Sequence, residues 1–145
     1  MTEKVIVYLS GSATWDTAFD TIVDSLKSVY ALLKKENIAA AGPALAIYTS
    51  TDDTGFQFQA AVPVAQAPAN PPQGDIAVGK SPGGKALKFV HRGSYEAMDS
   101  TYEAITNYLD EKGLEAKDLF VEEYVTDPLT TVEDKLVINV FVPLK

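Results

Sequence analysis

The sequence predicts an α+β fold built from two repeated strand–helix–strand–strand modules. Two long helices would cover one face of an antiparallel sheet and a ligand groove would occupy the other. Three observations predict it. Two long segments carry apolar residues at three- and four-residue steps, the period of a helix with one buried face. Shorter β-branched and aromatic runs between them alternate at the two-residue period of a strand. One order also occurs twice: strand, glycine break, long helix, strand ending in Tyr, turn, strand ending in Val-Pro. It pairs Gly11 with Gly93, Tyr48 with Tyr124 and Pro63 with Pro143. The offsets are all roughly 80 residues, as a duplicated unit gives. At 145 residues the chain has the length of one domain, with repeat one at about 1–65, a connector at about 66–74 and repeat two at about 75–145.

In chain order, Lys4 to Leu9 reads as a strand and Ser10-Gly11-Ser12 breaks it. A helix follows from about Thr14 to Glu36, with Phe19, Ile22, Val23, Leu26, Val29, Tyr30 and Leu33 as its buried stripe. Asp16 in its first turn and Lys34-Lys35 in its last match the helix dipole. Ala44 to Thr49 and Phe56 to Val64 are strands, separated by the turn Thr51 to Gly55. The Pro-rich run Gln66 to Gly74 is the connector. Asp75 to Gly79 and Lys85 to His91 are strands around the turn Ser81-Pro82-Gly83-Gly84. Ser94 is the expected N-cap of the second helix, whose stripe is Tyr95, Met98, Tyr102, Ile105 and Leu109, ended by Lys112-Gly113. Phe120 to Tyr124, a turn from Thr126 to Asp134, and a strand from Lys135 to Val142 complete the chain.

Composition removes several function classes. With no cysteine there is no disulfide framework, thiolate metal site or thiol nucleophile. A single histidine, His91, excludes a His-based triad and a His-cluster metal site, so no metal and no cofactor are expected. Lys80 to Gly84 lacks the spacing of a phosphate loop. The start Met-Thr-Glu-Lys runs straight into a strand without a signal peptide, and no apolar run is long enough to span a membrane. The expectation is a soluble, cytoplasmic protein. A net charge of −8 repels a phosphate backbone and argues against direct nucleic-acid binding, while favouring cationic ligands at long range.

The functional candidate is the run Phe120-Val121-Glu122-Glu123-Tyr124 before Asp127-Pro128. Side chains two apart share a strand face, so Glu122 stands between the rings of Phe120 and Tyr124. Setting Pro63 over Pro143 places Phe56, Phe58 and Val62 with Leu136, Ile138, Val140 and Val142 toward the helices. The mixed set of Gln59, Ala61, Asn139 and Phe141 would then share the other face with Glu122, Tyr124, Ala46 and Tyr48. Ala46 is the repeat mate of Glu122, so this carboxylate occurs once. Tyr8 on the first strand, and Trp15 and Tyr95 at the starts of the two helices, are further candidates for the groove.

The motifs Pro82-Gly83-Gly84, Phe89-Val90-His91-Arg92-Gly93-Ser94-Tyr95 and Glu122-Glu123-Tyr124-Val125-Thr126-Asp127-Pro128 are joined by the first-half run Gly42-Pro43-Ala44-Leu45-Ala46-Ile47-Tyr48. Together they resemble the GyrI-like small-molecule-binding domain, also found as the effector-binding domain of AraC- and MerR-type regulators. The resemblance implies two modules about a pseudo-twofold axis and a groove between them for hydrophobic, often cationic, small molecules. The family's ligand-facing acidic residue falls on Glu122, with Tyr124 beside it. No DNA-binding segment precedes the run, which implies a stand-alone form. Some stand-alone relatives hydrolyse strained cyclopropane-bearing compounds, so Glu122 and Tyr124 would be catalytic if this chain is a hydrolase. Other relatives inhibit DNA gyrase, a protein-interaction role, and a related haem-binding family would use His91. The residues themselves leave binder and hydrolase open.

Overall fold

The computed structural model describes residues 1–68, 74–117 and 119–145. Strand β1 spans Val5–Thr14 and leads through a 3-10 turn, Trp15–Thr17, into helix α1, Ala18–Lys35. Strands β2 (Leu45–Thr51) and β3 (Gly55–Pro63) follow. Then come β4 (Ile76–Lys80), β5 (Ala86–Arg92), a second 3-10 turn at Tyr95–Ala97 and helix α2 (Met98–Lys112). Strand β6 (Phe120–Tyr124) and β7 (Val137–Pro143) flank a turn that carries a 3-10 segment at Glu133–Lys135. Most of the expected connector lies outside the described residues.

The seven strands form one antiparallel sheet in the order β4-β1-β3-β2-β6-β7-β5. The order β1-β3-β2 on one side is mirrored by β5-β7-β6 on the other, so β2 and β6 meet at the centre. Both helices press on the same sheet face. Ile22, Leu26, Val29 and Leu33 of α1 and Met98 and Ile105 of α2 join Phe58, Val62, Ile138, Val140 and Val142 in one core. The apolar strand residues expected beneath the helices are there.

Three element boundaries differ from expectation. Strand β1 runs through Ser10-Gly11-Ser12, pairing with β3 as far as Thr14 opposite Gly55. Gly11 is a point of close approach, because a Cβ there would stand 3.1 Å from Cζ of Phe58. Each helix is preceded by a tight 3-10 turn, which delays α1 from Thr14 to Ala18. Ser94 bounds the second of these turns without a side-chain capping bond. Gly113 closes α2 in the left-handed conformation, φ 64°, as its sequence signal implies.

The opposite sheet face is packed as well. Ile6, Leu45, Ile47, Ala61 and Val121 form a second apolar cluster there, with Tyr8 and Phe141 against it.

Candidate functional site

Glu122 sits in mid-β6, opposite Ala46 of β2 and Val140 of β7. Cross-strand partners share a face, so its side chain points with Val140 toward the helices and not away from them. Tyr124 and Tyr48 point the same way and lie in the helix-covered core. The groove expected on the opposite face is therefore relocated. Alternation fixes facing within each strand, but the register between β6 and β7 sets Glu122 beside the apolar set. Asn139, Phe141 and Tyr8 remain on the far face. There Asn139 donates to Oε1 of Glu123 at 2.9 Å, and Lys4 lies 3.6 Å from the same carboxylate. Phe141 and Tyr8 pack on the second apolar cluster. None of these three reaches Glu122, and the small pocket between Phe141 and Glu123, about 230 Å3, is separate from it.

On the helix side, four phenols converge on one carboxylate. Tyr48 and Tyr124 each donate to Oε1 of Glu122 at 2.9 Å, and Tyr95 reaches it at 3.2 Å. Tyr102 donates to Oε2 at 2.7 Å. The hydroxyls of Tyr48 and Tyr95 also hydrogen-bond each other, so one of these two protons is shared between the neighbouring phenol and Oε1. Glu122 is 0% exposed. Burying an ionised carboxylate is costly unless its lone pairs are satisfied, and here hydroxyl donors satisfy both oxygens. Burial pushes the Glu122 pKa up, and the four phenol bonds offset this only in part. Burial first, and the Glu122 charge second, hold all four tyrosines well above the ordinary phenol range.

The phenols are placed from both halves: Tyr48 by β2, Tyr124 by β6, Tyr95 by the 3-10 turn before α2, and Tyr102 by α2 itself. Between the first turns of the two helices lies a cavity of about 520 Å3, walled by Trp15, Phe19, Tyr48, Tyr95, Met98 and Tyr102. Glu122 is one phenol behind that wall. Trp15 packs tilted by 34° against Phe56 at 4.7 Å, and its Nε1 donates to the carbonyl of Asp52 at 2.8 Å. Phe19 stacks on Tyr95 at 4.8 Å, bridging the two helix starts. Phe120 supports Tyr102 at 5.7 Å from below. Four exposed carboxylates complete the lining: Asp16, Asp20, Glu96 and Asp99. Such a site presents ring faces, a buried counter-charge and an acidic rim, all of which favour a lipophilic cation.

Of the sequence candidates, the structure brings together Glu122, Tyr124, Tyr48, Tyr95, Trp15 and Phe120. Tyr102 was read only as part of a helical stripe, and it supplies the shortest bond to the carboxylate. The signal for it was chemical: a buried Tyr hydroxyl needs a partner, and no other residue of that stripe except Tyr95 carries one. His91 holds bonds on both ring nitrogens, to the Ser94 carbonyl at 2.8 Å and the Thr101 hydroxyl at 2.6 Å, leaving neither for a haem iron.

The family model of the GyrI-like small molecule binding domain matches residues 1–145. No curated protein sequence matches the chain. Among solved structures, the EcmrR C-terminal domain is similar, with a TM-score of 0.82 at 11% identity, covering 100% of this chain and 93% of that one. In the EcmrR–DNA complex the TM-score is 0.83 at 11% identity, and this chain spans 55% of the longer EcmrR chain. A hydrolase from Listeria innocua matches with a TM-score of 0.66 at 12% identity, over 99% of this chain and 88% of its own. SAV2435 bound to tetraphenylphosphonium matches with a TM-score of 0.60 at 16% identity, over 100% and 90%. Among the described residues no helix is long and apolar enough to cross a membrane.

Proposed function

The chain belongs to the GyrI-like small molecule binding domain family, and we propose that it holds hydrophobic cations in the cavity between the first turns of α1 and α2. One observation carries the reading: a fully buried carboxylate, bonded by four phenols, lies directly behind an aromatic cavity with an acidic rim. A cation entering there gains ring-face attraction of roughly 0.5–2 kcal/mol per aromatic, depending on desolvation. The Glu122 charge, already dehydrated, acts through the phenol layer in a medium that screens it less than water does. The rim carboxylates and the net charge of −8 draw such ligands in. The tetraphenylphosphonium held by SAV2435 is a ligand of this chemical kind.

Hydrolysis is the second reading, supported by a Glu122 whose raised pKa suits general acid–base work and by the similarity to a hydrolase. Against it stands the cage itself. Glu122 is 0% exposed, so a water molecule must displace a phenol before the carboxylate can activate it. That favours holding over turnover. Titrating tetraphenylphosphonium against Trp15 fluorescence, and then strained cyclopropane-bearing compounds with mass analysis of the recovered ligand, separates the two. Saturable binding with ligand recovered intact supports a binder, and mass-shifted product supports a hydrolase. No binding of either class, with gyrase captured on the immobilised chain, would replace both with a protein-interaction role.

A further inference from the structure

The chain's single histidine is 4% exposed, at the end of β5, and is bonded through both ring nitrogens. A carbonyl only accepts, so Nε2 carries the proton and donates to the Ser94 carbonyl at 2.8 Å. In that tautomer Nδ1 accepts from the Thr101 hydroxyl at 2.6 Å. Each partner is one residue before a cage phenol: Ser94 precedes Tyr95, and Thr101 precedes Tyr102. Gly93, at φ 112°, lets the chain double back so that the ring can reach Ser94. The imidazole thus ties the 3-10 turn to the first turn of α2. These are the two pieces of backbone that aim Tyr95 and Tyr102 at Glu122. The corresponding turn in the first half is bridged differently, by the Thr14 and Thr17 hydroxyls at 3.2 Å, and Trp15 there is fastened to the Asp52 carbonyl.

We propose that His91 is a positioning residue for the ligand site, setting the Tyr95 and Tyr102 hydroxyls on the two oxygens of Glu122. It rests on the reading of that cage as the wall of a cation site. It touches neither Glu122 nor the cavity, and it acts through the two tyrosines. Without it the 3-10 turn is free to swing, and the Tyr95 ring moves off both Glu122 and Phe19. Its loss should weaken ligand binding through disorder of the cage while the helices and sheet persist.

The test uses the full chain with His91→Ala and His91→Gln, tetraphenylphosphonium as the probe, and Tyr Cζ-labelled protein for NMR. His91→Ala should weaken the probe about tenfold, the scale of one or two lost hydrogen bonds. His91→Gln, whose amide can still donate to Ser94, should recover most of that. In a Tyr95→Leu/Tyr102→Leu background the same His91→Ala change should have almost no further effect on affinity, since the imidazole acts only through those two side chains. In ligand-free protein, the Tyr95 and Tyr102 Cζ resonances should move in His91→Ala while that of Tyr124 stays. Additive losses in the Leu background, or unmoved resonances, would overturn the proposal. If wild type fails to bind the probe, the cation reading falls, and the resonances still decide the role of His91. If His91→Ala does not fold, Thr101→Val, which removes only the partner of Nδ1, carries the same comparison through the Tyr102 resonance and the probe affinity.

Discussion

Replacing Glu122 by Gln removes the counter-charge while keeping the side chain's size and one acceptor oxygen. A cation resting on Tyr95 or Tyr102 lies one phenol beyond the carboxylate, on the order of 6–7 Å from its charge. At an effective dielectric near 20 that attraction is about 2.5 kcal/mol. Its loss corresponds to a dissociation constant about 60-fold weaker. Trp15, the chain's only tryptophan, lines the cavity and reports occupancy by fluorescence. Tetraphenylphosphonium and the neutral triphenylphosphine oxide should be titrated side by side, with circular dichroism as the folding control. Glu122→Gln should weaken the phosphonium by that factor and leave the phosphine oxide within about threefold, the difference being the charge term. Equal losses for both ligands, or a change under threefold for the cation, would refute the electrostatic reasoning.

Other expectations follow from the same cage. Because burial raises the Glu122 pKa, the folded protein keeps this proton to higher pH than the unfolded chain does. Its contribution is most favourable below the ordinary carboxylate pKa and is lost as pH climbs through the raised value. The stability of wild type minus that of Glu122→Gln, from urea unfolding, should therefore fall with rising pH across that window, and a flat or rising difference would contradict the assignment. Phosphonium affinity should strengthen across the same window in wild type and not in Glu122→Gln. Tyr102→Phe takes the only phenol from Oε2 and should cost about 1–3 kcal/mol in the same unfolding assay. Tyr95→Phe should cost less, since Oε1 keeps Tyr48 and Tyr124. Neutralising Asp16, Asp20, Glu96 and Asp99 together to amides should slow phosphonium association and flatten its salt dependence in stopped-flow, with dissociation nearly unchanged.

The element order and both helix stripes could be read from the chain, because each rests on local periodicity or on the duplicated landmarks. The facing of Glu122 could not. Alternation says that Phe120, Glu122 and Tyr124 point together, but which way depends on pairing Glu122 with Val140 rather than with Asn139 or Phe141. That register is set across the turn between β6 and β7, where a shift of one residue inverts every side chain. Asn139 and Phe141 lie on the far face as expected, and it is Glu122, Tyr124 and Tyr48 that turn toward the helices instead. Gly11 misled in a similar way, since a glycine under a Phe58 ring and a glycine in a turn look alike in sequence. Tyr95 and Tyr102 were legible as buried, but their joint aim at one carboxylate depends on the 3-10 turn before α2, for which the local sequence gives no periodic signal.

The two halves of the sheet are joined along the short run where Leu45–Tyr48 of β2 faces Phe120–Glu123 of β6. Glu122 stands on that seam and draws one phenol from the first half and three from the second. It is therefore a rivet between the halves as well as the counter-charge of the proposed site. An occupant that pulls Tyr48 or Tyr95 off the carboxylate loosens the fastening between the halves, and the angle at which they meet becomes a readout of whether the cavity is filled.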